Sequence, residues 1–318
     1  MCRARGSRSL IREDPQRLAA LWNDAFPAAF RVTPDTIKLN LLECDLTLEE
    51  GCLFTRTGFA VLKQCGTPKW FVGQDPANGH ISALASPTER EVQDVLLPHL
   101  INSARKYGIK KLLFGMDPDH ILPGCPEKCQ LLKSVLLEAG FKESGQCFDL
   151  ERDLRTYTLP MNVEPALSQA RATVSPCRSQ DLAALDGFLA QEFPSRWRHD
   201  VMRKAQDDGE PSQISLLWID NAVEGFALTQ HEGCKRPIAG AVWSLDLGPH
   251  WAALGPIGIS KSARGKGLGN ALLGKALESL SRMGSRQTII DWTTLADFYG
   301  SHGFQVTRRY STMALDLS

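Results

Sequence analysis

The chain has 318 residues, 43% of them hydrophobic and 23% charged, which suits a globular protein long enough to bury two cores. Lysine plus arginine equals aspartate plus glutamate, 36 each. That balance argues against a dedicated nucleic-acid binder, which carries an excess of positive charge, and no apolar window approaches the length of a membrane span.

The start of the chain carries Arg3, Arg5, Arg8 and Arg12, a pattern that a mitochondrial presequence shares. Glu13, Asp14 and a helix start at Pro15 follow at once, so a cytoplasmic protein is expected. "EDPQRLAALWNDAFP" (13–27) predicts a helix with Asp14 as N-cap and Pro15 as its first residue. Further on, "ARKYGIKKLLF" (104–114) predicts a helix end, a glycine turn and a strand. "PGCPEKC" holds the closest cysteine pair, Cys125 and Cys129. The nine cysteines are scattered, and no second pair or histidine pair stands at zinc spacing, so reduced thiols and no metal are expected. "LLKSVLLEAGF" (131–141) predicts another helix closed by glycine.

The second half repeats these signals in the same order. "QDLAALDGFLAQEFP" (180–194) resembles the first helix, and Asp14 and Asp181 each stand twelve residues before a Phe-Pro pair. "LSRMGSRQTII" (280–290) matches 104–114, and "TLADFYGSHGF" (294–304) matches 131–141. Two domains of one fold are therefore expected, 1–152 and 171–318, joined by a linker at 153–170 that contains Pro160 and Pro165. In the second, "ATVSPCR" predicts a strand, 180–192 a helix and 197–206 a short helical stretch. "SLLWIDN" and "VEGFALTQ" predict a hairpin at Asn221 and Ala222. "AGAVWSLDL", "AALGPIGI", "QTIIDW" and "STMALDL" predict further strands, with helices at 268–283 and 294–301. The class is a mixed α/β sheet.

The stretch "GPIGISKSARGKGLGNALLGKALESL" (255–280) holds the strongest chemical signal. Leu268, Leu272, Leu273, Ala276, Leu277 and Leu280 share one helical face, so a helix begins near Gly267. The first amides of a helix lack intrahelical partners and sit at its positive end, and glycines let a ligand approach the backbone. Arg264 and Lys266 add charge, so an anion such as pyrophosphate fits here. Asn270 stands where a Rossmann fingerprint needs glycine. The near P-loop Gly269–Lys275 lacks the metal-binding hydroxyl at Ala276 and falls inside the helix. A plain glycine-rich turn is the remaining alternative.

"RGKGLG" after an apolar strand resembles the R-x-x-G-x-G/A signature of the GNAT superfamily of acyl-CoA N-acyltransferases, and "DFYGSHGF" (297–304) resembles its Y-x-x-x-G-F landmark. The resemblance implies that Arg264, Gly265, Lys266, Gly267, Leu268, Gly269 and Asn270 hold the pyrophosphate of acetyl-CoA. It also implies that Ile257, Gly258 and Ile259 pair with the pantetheine arm, and that Tyr299 lies beside the thioester sulfur. Trp292 replaces an asparagine the family pattern carries seven residues before the tyrosine. In the first half "REVQDV" (90–95) stands in place of the glycines and Leu136 in place of Tyr299. That half therefore reads as a degenerate acetyltransferase-like domain, and the whole resembles tandem GNAT proteins with one active half. "DWTTLADFY", "LGPIGIS" and "PGCP" also resemble the tandem domains attached to some β-N-acetylhexosaminidases.

The resemblance implies direct acetyl transfer to a small-molecule amine, with no nucleic acid, membrane or metal partner and the oligomeric state open. Tyr299 is expected to hydrogen-bond the developing thiolate, or else to be a buried helix tyrosine. Asp291, at a strand end, is the candidate base or simply a helix cap; Asp246, Glu232 and His250 are further candidates. Trp243, Trp251 and Trp292 are core residues by default, or platforms for a sugar ring, which makes an amino sugar such as glucosamine the leading acceptor. An acyl-CoA sensor without turnover and an interaction module are the competing classes.

Overall fold

The computed structural model describes residues 12–64 and 77–317; the presequence-like residues 1–11 lie outside them. Two compact units form. Among the described residues the first takes in 12–64, 77–147 and 309–317, and the second 148–308.

In the first unit α1 (Pro15–Ala25) begins as the sequence predicts, with the Asp14 carboxylate accepting the Gln16 amide at 3.0 Å and Pro15 at the first position. Its buried Leu18 and Trp22 face the core, and the short α2 (Pro34–Ile37) follows. Strands β1 (Leu53–Phe54), β2 (Phe59–Gln64) and β3 (Asn78–Ala85) pair antiparallel. The chain then crosses through α3 (Glu89–Glu91) and α4 (Leu97–Lys106) to β4 (Lys111–Phe114), parallel to β3. After β5 (Cys125–Pro126) and α5 (Gln130–Glu138) comes β6 (Lys142–Asp153), which leaves the unit at Phe148. The strand that lies against β4 arrives from far down the chain: Ala314–Asp316 pair antiparallel with Leu113–Lys111.

The second unit opens on the other end of β6. Stretch 153–170 contains α6 (Val163–Gln169), whose buried Val163 and Leu167 join the unit's core, followed by β7 (Ala172–Pro176), α7 (Leu182–Glu192) and α8 (Arg196–Met202). β8 (Ile214–Ile219) and β9 (Ala222–His231) form the expected hairpin, with its turn one residue earlier than Asn221 and Ala222: Ala222 already pairs with Ile219, and Asp220 and Asn221, at φ 48° and 64°, make the tight turn that twisted strands favour. The apolar run 239–247 is not the expected strand. It forms a 3₁₀ turn, Ala239–Trp243, and α9 (Ser244–Leu247). Val242 and Trp243 are buried, and the Gln230 amide clasps both the N–H and the C=O of Ile238 at the run's entry. An apolar run buried in this way has no periodicity that tells strand from helix.

β10 (Trp251–Ile259), α10 (Leu268–Arg282), β11 (Gln287–Thr293), α11 (Ala296–Gly300) and β12 (Gln305–Asp316) complete the chain. The unit's strand order is β7-β8-β9-β10-β11-β6, antiparallel except for β10 with β11. From β8 to β6 the pairing runs antiparallel, antiparallel, parallel, antiparallel. From β1 through β4 to β12 the first unit has the same sequence of pairings, so the repeat inferred from the residues exists in three dimensions. α10 lays Leu268, Leu272, Leu273, Leu277 and Leu280, all essentially inaccessible, into the core. At about 1.5–3 kcal/mol for each such side chain, this face fixes where the helix begins.

Candidate functional site

β10 and β11 pair only from Trp251–Gln287 to Ala253–Ile289; beyond that they part. Both strands are irregular where they separate. β10 shifts register against β9 between Leu254 and Ile257, and β11 shifts against β6 between Ile290 and Thr293. Such irregularities re-aim side chains and end pairing beside functional sites. The gap becomes a cavity of about 230 Å³ lined by Gly255, Pro256 and Ile257 from β10, Ile290 to Thr293 from β11, Tyr299 from α11, and Arg196 and Trp197 from α8.

Asp291 and Tyr299, singled out from the sequence, both line this cavity. The Asp291 carboxylate lies against Gly255; a methyl group added there would stand 3.8 Å from Oδ1. Asp291 is the only acidic side chain among the lining residues. Tyr299 is 6% exposed, packs edge-on to Phe298 and Phe304, and makes no side-chain hydrogen bond with the described residues. Burial, with the Asp291 charge adding to it, pushes its phenol up to about 12. Asp246, Glu232 and His250 do not line the cavity. Asp246 pairs with the buried Arg308, and Glu232 accepts the His250 backbone amide at 3.0 Å. Of the three tryptophans named from the sequence only Trp292 is here; Trp243 and Trp251 are buried elsewhere.

The sequence reading missed Arg196 and Trp197. The Arg196 guanidinium stacks 4.2 Å from the Trp292 ring centroid and bonds Asp200 at 3.1 Å. Neither residue belongs to a motif; their place two and three residues beyond the Phe193-Pro194 pair was the available signal. Trp292 has φ +44° and donates its backbone N–H to the buried Asp149 at 3.1 Å.

At the far end of β10, Ile257, Gly258 and Ile259 pair with β9 on one side. Gly258 is required by packing: a Cβ there would lie 2.6 Å from the Phe193 ring. Ser260 then caps the 3₁₀ turn Lys261–Ala263 and binds Glu224 through its hydroxyl. Gly267 is the N-cap of α10 with φ +75° and contributes no side-chain cap. The backbone amides of Gly265, Lys266, Gly267, Leu268, Gly269 and Asn270 donate to no group among the described residues. Six successive open N–H groups at the positive end of a 15-residue helix, with exposed Arg264 and Lys266 beside them, fit a polyphosphate. Asn270 is oriented from below by His302, whose Nε2 lies 3.2 Å from its Oδ1.

The first unit is built differently at the matching place. Its helix begins with Glu89, Arg90 and Glu91, and the Glu91 carboxylate is gripped by Thr55 (2.5 Å), Ser86 (2.7 Å) and Thr57 (2.9 Å). Burial works to raise its pKa, but these three hydroxyls outweigh it and hold the carboxyl below its ordinary range. A fixed anion thus sits where an incoming one would bind. A second, mostly apolar cavity of about 320 Å³ lies there, bordered by Phe26, Leu84, Val92 and Val135. Leu136, matched to Tyr299, is fully buried.

Among the described residues no helix is long and apolar enough to cross a membrane, and the described cysteines are free thiols.

Residues 182–304 match the model of the acetyltransferase (GNAT) family. No curated protein sequence matches the chain. Among solved structures, the fold resembles the GCN5-related glucosamine N-acetyltransferase region of a fungal multi-domain GH3 β-N-acetylglucosaminidase, with TM-score 0.83 and 18% identity. That likeness covers 95% of this chain and 37% of the other, so the chain spans little more than a third of that enzyme's length. A GCN5-related N-acetyltransferase from Sphaerobacter thermophilus is also similar (TM-score 0.65, 12% identity, 96% and 93% covered). So is a tandem GNAT protein from the clavulanic acid biosynthesis pathway (0.61, 14%, 96% and 93%). Residues 182–304 thus match a domain of the acetyltransferase (GNAT) family, within a chain whose fold is that of tandem GNAT proteins.

Proposed function

We propose that the second unit moves an acetyl group from acetyl-CoA to the primary amine of a small molecule, with an amino sugar as the leading acceptor. The observation that carries this reading is the run of six open amides at the mouth of α10, close along the chain to a strand gap that holds one carboxylate and one phenol. When bound, the carrier supplies an acetyl thioester. Residues 264–270 suit its diphosphate, and the unpaired side of β10 beyond Ala253 suits its extended arm.

The chain's own groups then divide the work. Asp291 holds the acceptor's ammonium and takes its proton at a carboxylate oxygen, which frees the nitrogen lone pair to form the C–N bond as the C–S bond breaks. Tyr299 donates a hydrogen bond to the departing sulfur. With its phenol near 12 and a thiol ordinarily near 8.5, full proton transfer to the thiolate would be uphill by roughly 5 kcal/mol. Tyr299 therefore remains protonated and stabilises charge by polarity alone. Trp197, Trp292 and the Arg196 guanidinium offer a flat wall and N–H donors to a hydroxylated ring. The glucosamine N-acetyltransferase region similar to this chain supports an amino sugar as acceptor.

The test is a panel of amines (glucosamine, a polyamine, a lysine peptide, an aminoglycoside) incubated with acetyl-CoA, reading free thiol and melting temperature. Thiol release with glucosamine above the other amines is expected. A rise in melting temperature with no thiol release from any amine would instead mark a carrier-binding sensor.

A further inference from the structure

Asp149 is fully buried on β6, no sequence motif includes it, and it does not line the cavity that holds Asp291 and Tyr299. It stands opposite a local irregularity in β11. Ile290 pairs with Leu150 and Thr293 with Phe148, so two residues of β11, Asp291 and Trp292, face the single Asp149 of β6. That is a β-bulge. Its second residue, Trp292, has φ +44°, in the left-handed region that bulky side chains avoid. The Asp149 carboxylate accepts the Trp292 N–H at 3.1 Å, which is the donor the bulge removes from regular pairing.

Asp291 is the first residue of this bulge. Ile289 and Asp291 share a face: a Cβ built on Gly240 would touch the Ile289 side chain and lie 3.4 Å from Asp291 Cβ. Trp292, the second residue of the bulge, follows, and the chain turns into Thr293 and α11, which carries Tyr299. The Arg196 guanidinium lies over the Trp292 ring. We infer that Asp149 is a positioning residue: by holding the bulge at Trp292 it fixes the Asp291 carboxylate against Gly255, in the gap between the parted strands. This rests on the reading of that gap as an acetyl-transfer site.

The test compares wild type with Asp149→Leu and Asp149→Asn. Asparagine keeps an oxygen acceptor for the Trp292 N–H, and leucine keeps only the volume. Asp149→Leu is expected to lower kcat at least tenfold while KM for acetyl-CoA stays within twofold. Asp149→Asn is expected to restore kcat to within threefold of wild type. Circular dichroism and melting curves check that each variant folds, and Asp149→Thr, too short to reach the amide, replaces the leucine variant if that one does not. An active wild type with a folded leucine or threonine variant of unchanged kcat overturns the inference alone. An asparagine variant as impaired as leucine overturns it too, because the acceptor atom would not be what matters. A wild type that releases no thiol with any amine overturns the acetyl-transfer reading and this inference together.

Discussion

Replacing Gly267 with glutamate separates backbone strain from charge at the mouth of α10. Gly267 has φ +75°, where a Cβ costs about 1–2 kcal/mol. Space is not the obstacle, since the nearest atom to an added Cβ is Ala166 Cβ at 3.6 Å. Gly267→Ala and Gly267→Glu therefore share the same strain, whether or not the carrier is bound, and differ by one carboxylate beside the open amides. A unit charge about 4 Å from a phosphate is worth roughly 1 kcal/mol in water and about 4 kcal/mol at an effective dielectric of 20. A site on an exposed turn falls between, so Gly267→Glu should bind acetyl-CoA at least about fivefold more weakly than Gly267→Ala. Isothermal titration calorimetry on both variants measures the ratio directly, and raising the salt concentration should narrow it. Equal affinities for alanine and glutamate would refute the assignment of the diphosphate to residues 264–270.

On the proposed role of Tyr299 as donor to the departing sulfur, Tyr299→Phe should leave acetyl-CoA affinity within about twofold and lower kcat roughly tenfold or more, since it removes the hydroxyl and little packing; stopped-flow thiol detection checks it. Gly258→Ala should lower the denaturant midpoint by the equivalent of about 1–3 kcal/mol, since its methyl would meet the Phe193 ring at 2.6 Å. His80 and His302 are both buried, and burial holds each imidazole below its ordinary pKa; beside His302 the Arg152 charge acts in the same direction. The unfolded chain therefore takes up protons that the folded chain refuses as pH falls below about 6.5, and stability declines in that direction. Guanidinium titrations at pH 7.5 and 5.5 should show the decline, and His302→Gln should make it smaller.

Much of the second unit was legible because its signals are local. The leucine stripe marked α10, the two strand-like runs around Asn221 and Ala222 marked the hairpin to within one residue, and the glycine spacing marked the helix mouth whose amides prove to be open. Asp291 and Tyr299 were singled out because one stands at an element's end and the other in a motif, and the structure brings both to one cavity. What escaped depends on partners distant in sequence. Asp149 is 143 residues from the amide it receives, and Arg196 matters only because it lies over Trp292. The stretch 239–243 carries no period to read, since all five of its residues are buried.

The pairing of Ala314–Asp316 with β4 bears on how the protein is made. The first unit's sheet is finished only when residues 309–317 leave the ribosome, some 160 residues after Cys147. At about 5–20 residues per second, that delay lasts roughly ten to thirty seconds. Throughout it β4 would offer a bare edge to neighbouring nascent chains. A chaperone or the ribosome surface has reason to shelter that edge, and slowing translation late in the message should increase aggregation more than slowing it early.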